Sequence, residues 1–157
     1  MHWGVENTFE VTSFQKQLAQ NMVDWGADVI IGTHPHVLQS MEYLTRADGS
    51  RGFVAYSLGN FVSAQSRAYN MVAGILDVTL TKDPQSGKTE VSGVEFLPTV
   101  THYGPNYSDI VIYPLSAYTD ALASAHGVRR KDADFSLNYI DYVLQQTIPN
   151  AFLKKAA

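Results

Sequence analysis

Only Ala27-Asp28 separates a helical pattern from the apolar run Val29-Ile30-Ile31, and that two-residue join constrains the fold more than any other feature. A helix feeding a buried strand so closely has to pack on the sheet it enters, which places the chain in a layered α/β class. The helix carries its own start and stop. Thr12-x-x-Gln15 reads as a capping box, Phe14, Leu18, Met22 and Trp25 recur at helical spacing, and Gly26 ends the pattern. That stripe is expected to cover the sheet.

Beyond the first strand, 37–44 reads as extended, Ala47-Asp48-Gly49-Ser50 as a turn and 53–58 as a second strand, which together make a hairpin. Leu76, Val78 and Leu80 alternate with Asp77, Thr79 and Thr81, Asp83 to Gly87 is a turn, and 91–97 extends again. This predicts a second, antiparallel hairpin with one wetter face. A short strand at 110–113 stops at Pro114. Helical patterns follow over 116–126, ending at Gly127, and over 135–147, ending before Pro149. The tail from Lys154 is expected to fray.

A length of 157 residues suits one domain over 1–157 with a core of its own. With no cysteine, any metal ligation falls to imidazole and carboxylate. The net charge of −4, with cations scattered singly, argues against a surface that tracks nucleic-acid phosphates. Arg129-Arg130-Lys131 is the one basic cluster, and reads as a solvated loop between helices. No run is apolar for the ~20 residues of a membrane span.

The chemistry concentrates where the first strand ends. His34-Pro35-His36 follows Val29-Ile30-Ile31-Gly32-Thr33 directly, so two imidazoles stand at a strand's carboxyl end, where open α/β sheets place ligands. Proline removes helical geometry from the residue before it, and the pair is expected on a stiff, extended turn. Such a pair either ligates a divalent cation (manganese, zinc or iron) or caps the strand end by bonding to backbone. His2 opens the chain within His2-Trp3-Gly4-Val5-Glu6. Gly59-Asn60 offers close backbone approach and an amide that can orient a phosphate, unless it is an ordinary turn. His102 reads as a loop residue, and His126 as a helix-end imidazole whose positive charge the dipole would favour.

Three ordered motifs, His2-Trp3-Gly4-x-Glu6, the stretch from Gly26 to Val37, and Tyr56-Ser57-Leu58-Gly59-Asn60-Phe61, closely resemble the bacterial capsule synthesis protein family of the CapA type, over roughly residues 2 to 115. The resemblance implies a calcineurin-like metallophosphoesterase fold, a layered αββα sandwich of which this chain would be the carboxyl-terminal half. The family's earlier ligands precede the motif that His2 represents. The chain is therefore expected to be a fragment, with one or two metal ions held weakly or not at all.

On that resemblance His2, His34 and His36 are metal ligands, with His2, His34 and Asn60 catalytic. Asn60 and Ser57 would bind substrate, and Glu6 would support a ligand imidazole. The implied function is poly-γ-glutamate-type capsule biosynthesis with metal-dependent phosphoester hydrolysis in the intact protein, in a cell-envelope setting. The alternative is a non-catalytic component that binds an anionic polymer, with the fragment inactive. An exposed sheet edge in a half-domain would favour self-association.

Overall fold

The computed structural model describes residues 1–154, and the tail expectation at 155–157 lies outside the described residues. Helix α1 (Ser13–Asp24) covers one face of a sheet formed by β1 (Val29–Ile31), β2 (Leu38–Thr45) and β3 (Arg51–Leu58) in the order β1-β3-β2. Strand β1 runs parallel to β3, and β2 runs antiparallel to it. A second sheet, wholly antiparallel, joins β4 (Val72–Lys82), β5 (Thr89–His102) and β6 (Val111–Pro114) in that order. Helices α2 (Asp120–Ala125) and α3 (Leu137–Thr147) follow. The fold is mixed α/β, as the short helix-to-strand join requires.

Strand β3 explains the layering. Its residues alternate between two buried faces, so it reads as a near-continuous apolar run. Val54 and Tyr56 pack with Ile30, Trp3 and α1. Phe53 and Ala55 face the other way, into a core shared with Val72, Phe96 and Val100 of the second sheet and with Ile140, Val143 and Leu144 of α3.

The α1 cap forms as expected: Thr12 Oγ1 accepts from the Gln15 amide while Gln15 Oε1 accepts from the Thr12 amide, and Gly26 takes φ +108° beyond the last turn. The face is rotated. Gln15, Ala19 and Val23 are buried on the sheet, Leu18 and Met22 of the expected stripe pack partly buried beside them, and Phe14 and Trp25 at its ends are 67% and 76% exposed. Two causes rotate the helix. Trp3 and Tyr56 stack beneath it at 5.7 Å and occupy the volume a larger helical side chain would need. Gln15 is also drawn inward, because its amide nitrogen donates to Gln39 Oε1 at 2.8 Å inside the core.

Both hairpins form, and β5 runs further than its alternation indicated, reaching His102. The continuous helix expected over 116–126 is instead a short 3-10 turn, Leu115–Ala117, followed by α2. Thr119 makes the break by capping: its hydroxyl accepts from the Leu122 amide and so starts a new helix. Among the described residues no helix is long and apolar enough to cross a membrane.

Candidate metal centre

Past Ile31 the chain leaves the sheet through Gly32, whose amide donates to the Ala55 carbonyl at 2.8 Å. A β-carbon here would fall 1.9 Å from the Tyr56 carbonyl oxygen and 2.3 Å from the Trp3 indole nitrogen. Glycine is therefore required by close approach. That space belongs to the Trp3 Nε1–H bond to Tyr56 O, 2.8 Å long and buried. Met1–Trp3 lie along the same stretch: the Trp3 amide donates to Thr33 O, the Thr33 amide donates to Met1 O, and His2 and Thr33 form a parallel bridge. His2 is thereby brought to His34, with ring centroids 4.3 Å apart.

The turn that follows is bent, and its backbone is strained. His34 has φ +102° and His36 φ +60°, left-handed values that a side chain bearing a β-carbon adopts only when its surroundings hold it there. The expected extended geometry is corrected: Pro35 does bar helix, but both flanking histidines flip to positive φ. What holds them is a polar buttress. The Asn7 amide donates to Pro35 O at 2.7 Å, and the buried Asn70 amide nitrogen donates to both His36 O and Asn7 Oδ1 at 3.0 Å.

Glu6, His34 and His36 each present a ligand atom within 4.8 Å of the others. Asn60 orients one of them. Its amide nitrogen donates to Gln65 Oε1 at 2.9 Å, leaving Oδ1 to accept from His36 Nδ1 at 3.0 Å. The His36 proton is thus held at Nδ1, and Nε2 keeps its lone pair on the side where Glu6 Oε1 stands 3.9 Å away.

Several sequence-based roles shift in this geometry. Glu6 sits among the three residues that could hold a cation, too far from His36 to hydrogen-bond it, and the side chain that does bond His36 is Asn60. Asn60 has each end of its amide engaged within the protein, which leaves one N–H and one oxygen lone pair uncommitted. Ser57 is 1% exposed, and its hydroxyl accepts from the Gly59 amide, so it serves the turn instead of facing the histidines. His2 borders the group without joining the trio whose ligand atoms are mutually close. Asn7, Gln65 and Asn70 carry no motif that sequence reading could have used.

The other two histidines are structural. His126 is 2% exposed: Nε2–H donates to Thr101 O, and Nδ1 accepts from the Val128 amide. One donor and one acceptor define a neutral ring, and burial pushes its pKa down to about 4. The cationic helix-end role expected for it is overturned, because the ring lies inside the core and not at the solvated end of α2. His102, at the end of β5, contacts Tyr118 Oη through Nδ1 at 2.9 Å, and burial lowers its pKa.

Residues 1–65 match the model of the bacterial capsule synthesis protein PGA_cap family. The chain is 48% identical over 64 residues to "Capsule biosynthesis protein CapA" of Bacillus anthracis, a stretch covering 41% of this chain and 14% of that protein. It is 36% identical over 94 residues to "PGA biosynthesis protein CapA" of Bacillus subtilis (strain 168), covering 60% of this chain and 23% of the relative. The matched stretches thus span less than a quarter of either relative. No solved structure matches the chain significantly.

Proposed function

Since residues 1–65 match the bacterial capsule synthesis protein family and both relatives carry the name CapA, we propose that this chain supplies part of a divalent-metal site that acts on a phosphoester during capsule assembly. The observation that carries the reading is the convergence of Glu6, His34 and His36 within 4.8 Å, together with the Asn60 bond that leaves His36 Nε2 free. One carboxylate and two imidazoles suit manganese, zinc or iron. These three residues would hold the cation, and the cation when bound supplies Lewis-acid stabilisation of charge on a phosphoryl oxygen.

The remaining residues act through position. Asn60 keeps the His36 proton at Nδ1, Asn70 and Asn7 fix the strained turn, and the Trp3 indole anchors the entering segment to β3. His2, exposed beside His34, would donate an N–H to an oxygen of the anion. We extend the reading to a poly-γ-glutamate-type polymer or its phosphoester precursor as the ligand, and to a cell-envelope setting. Self-association through the exposed Phe14 and Trp25 completes it, and a monodisperse monomer in light scattering would remove that part.

A second reading, a non-catalytic component that binds polymer, is favoured by the openness of the group. The Glu6 side chain is 58% exposed, and with His36 protonated the 3.9 Å approach of the two is an ion pair requiring no metal. Calorimetric titration with manganese and zinc separates the two. The metal reading expects saturable binding lost in His36→Ala and weakened in Glu6→Gln, whereas an absence of saturable binding in the unsubstituted chain leaves the polymer-binding role. Aryl phosphate turnover by this chain alone is expected near background, given one exposed and two half-buried candidate ligands. Substantial turnover abolished by His34→Ala would show instead that these residues suffice for catalysis.

A further inference from the structure

The loop that carries Asn60 to His36 also reaches a second cluster of side chains. Gln65, which accepts from Asn60, gives its carbonyl to the Tyr103 hydroxyl at 3.3 Å, and Ser66 Oγ accepts from Lys131 Nζ at 3.0 Å. Ser66, Tyr103, Tyr107, Gly127, Arg130 and Lys131 enclose much of a pocket of about 220 Å³. Arg130 reaches across to Asn106 Oδ1 at 2.8 Å.

Charge makes this pocket distinctive. Arg130 and Lys131 line it with no carboxylate beside them in its wall, whereas the pocket lined by Arg46, Arg51 and Lys88 also carries Asp28, Asp48 and Glu90. Among the described residues neither Arg130 nor Lys131 forms an ion pair. The adjacent Asp132 is already engaged by the Arg67 guanidinium and the Ala68 amide. Both cations hydrogen-bond only to neutral groups, Asn106 and Ser66, which leaves guanidinium and ammonium donors for an incoming oxyanion. The aromatic wall is held with equal care. Tyr103 and Tyr107 lie 4.9 Å apart, and Asn106, Tyr107 and Asp109 all take positive φ, between 52° and 59°. Strained backbone of this kind persists where the surrounding structure over-determines it.

We infer that the Arg130/Lys131/Tyr107 pocket is an oxyanion subsite that holds a carboxylate or phosphate group of the ligand, linked to the histidine cluster through the 60–66 loop. The inference rests on the reading that the ligand is anionic, and not on a metal being bound. An extended anion could then be held at the pocket while another part of it lies at His34 and His36.

Two probes, inorganic phosphate and penta-glutamate, are titrated by calorimetry into chelator-treated protein. Arg130→Gln/Lys131→Gln is the test variant, and Lys82→Gln, at the far end of β4, is the control. The expected result is saturable binding of at least one probe, weakened at least tenfold in the double variant and unchanged in the control. Tighter penta-glutamate than phosphate assigns a polymer carboxylate, and the reverse order assigns a phosphoester. Binding that is equal in the double variant and the unsubstituted protein, or absent for both probes, overturns the inference. Failure of the metal reading has a separate signature: it removes manganese and zinc binding and leaves these titrations intact.

Discussion

His34 and His36 sit on a bent loop at the end of β1, in left-handed backbone, half-buried and with one ring nitrogen of His36 left without a protein hydrogen-bond partner among the described residues. His102 and His126 sit between β5, β6 and α2, their rings 4.8 Å apart, and both nitrogens of His126 are consumed by backbone. The same side chain does opposite work in the two places. In the first the protein spends conformational energy to keep a lone pair available, and in the second it uses the lone pair to complete its own hydrogen bonding. What distinguishes them is the company each ring keeps: a side-chain amide and a carboxylate in one, backbone N–H and C=O groups in the other.

The comparison is broken most forcefully at the closed cluster. His126→Ala strands the Val128 amide and the Thr101 carbonyl in the core and leaves a cavity beside Phe135, whose ring lies 4.7 Å from that of His126. Together these cost roughly 3 to 4 kcal/mol. Urea unfolding at neutral pH measures it. A loss under 1 kcal/mol would mean that His126 is no more integral to the fold than an open histidine.

Acidification probes the same contrast with a slightly smaller effect. The folded His126 ring resists protonation until pH about 4, while in the unfolded chain it takes up a proton near 6.5. A depressed folded pKa on a base means that the unfolded state gains protons first. The contribution is therefore fully present above pH 6.5 and is lost as the pH falls from there through 4, amounting to roughly 3 kcal/mol. Urea midpoints at several pH values should fall over that window, and the slope should flatten in His126→Asn. An equal slope in the variant would assign the acid sensitivity to other groups.

Legibility in the sequence divides along the same line. Periodicity and turn residues were enough to find both hairpins, the α1 cap and the short join to β1, because each depends on neighbours within a few positions. The juxtaposition of His34 and His36 was equally local. The face of α1 was not legible, since whether Phe14 or Gln15 turns inward depends on Trp3, Tyr56 and Gln39, which no period in 13–24 encodes. The buttress of the histidine turn was hidden for the same reason: Asn70 lies 34 residues from the His36 carbonyl it holds and 63 from Asn7. His126 misled because its position at a helix end was visible while its burial was not.

The smallest effect tests the open cluster itself. At φ +102° His34 is a position where glycine relieves steric strain that histidine tolerates, so His34→Gly should raise stability by about 1 kcal/mol even though it removes the contact with the His2 ring. The same change deletes a proposed metal ligand and should weaken manganese or zinc binding in the titration described above. Gain in one measurement with loss in the other is the signature of strain retained to present a ring. If His34→Gly destabilises the fold, the positive φ is supported by packing that histidine itself provides, and the turn is then structural in the way His126 is. If it stabilises the fold and leaves metal binding unchanged, Glu6 and His36 hold the cation without His34, which would move the centre of the candidate site toward Asn60.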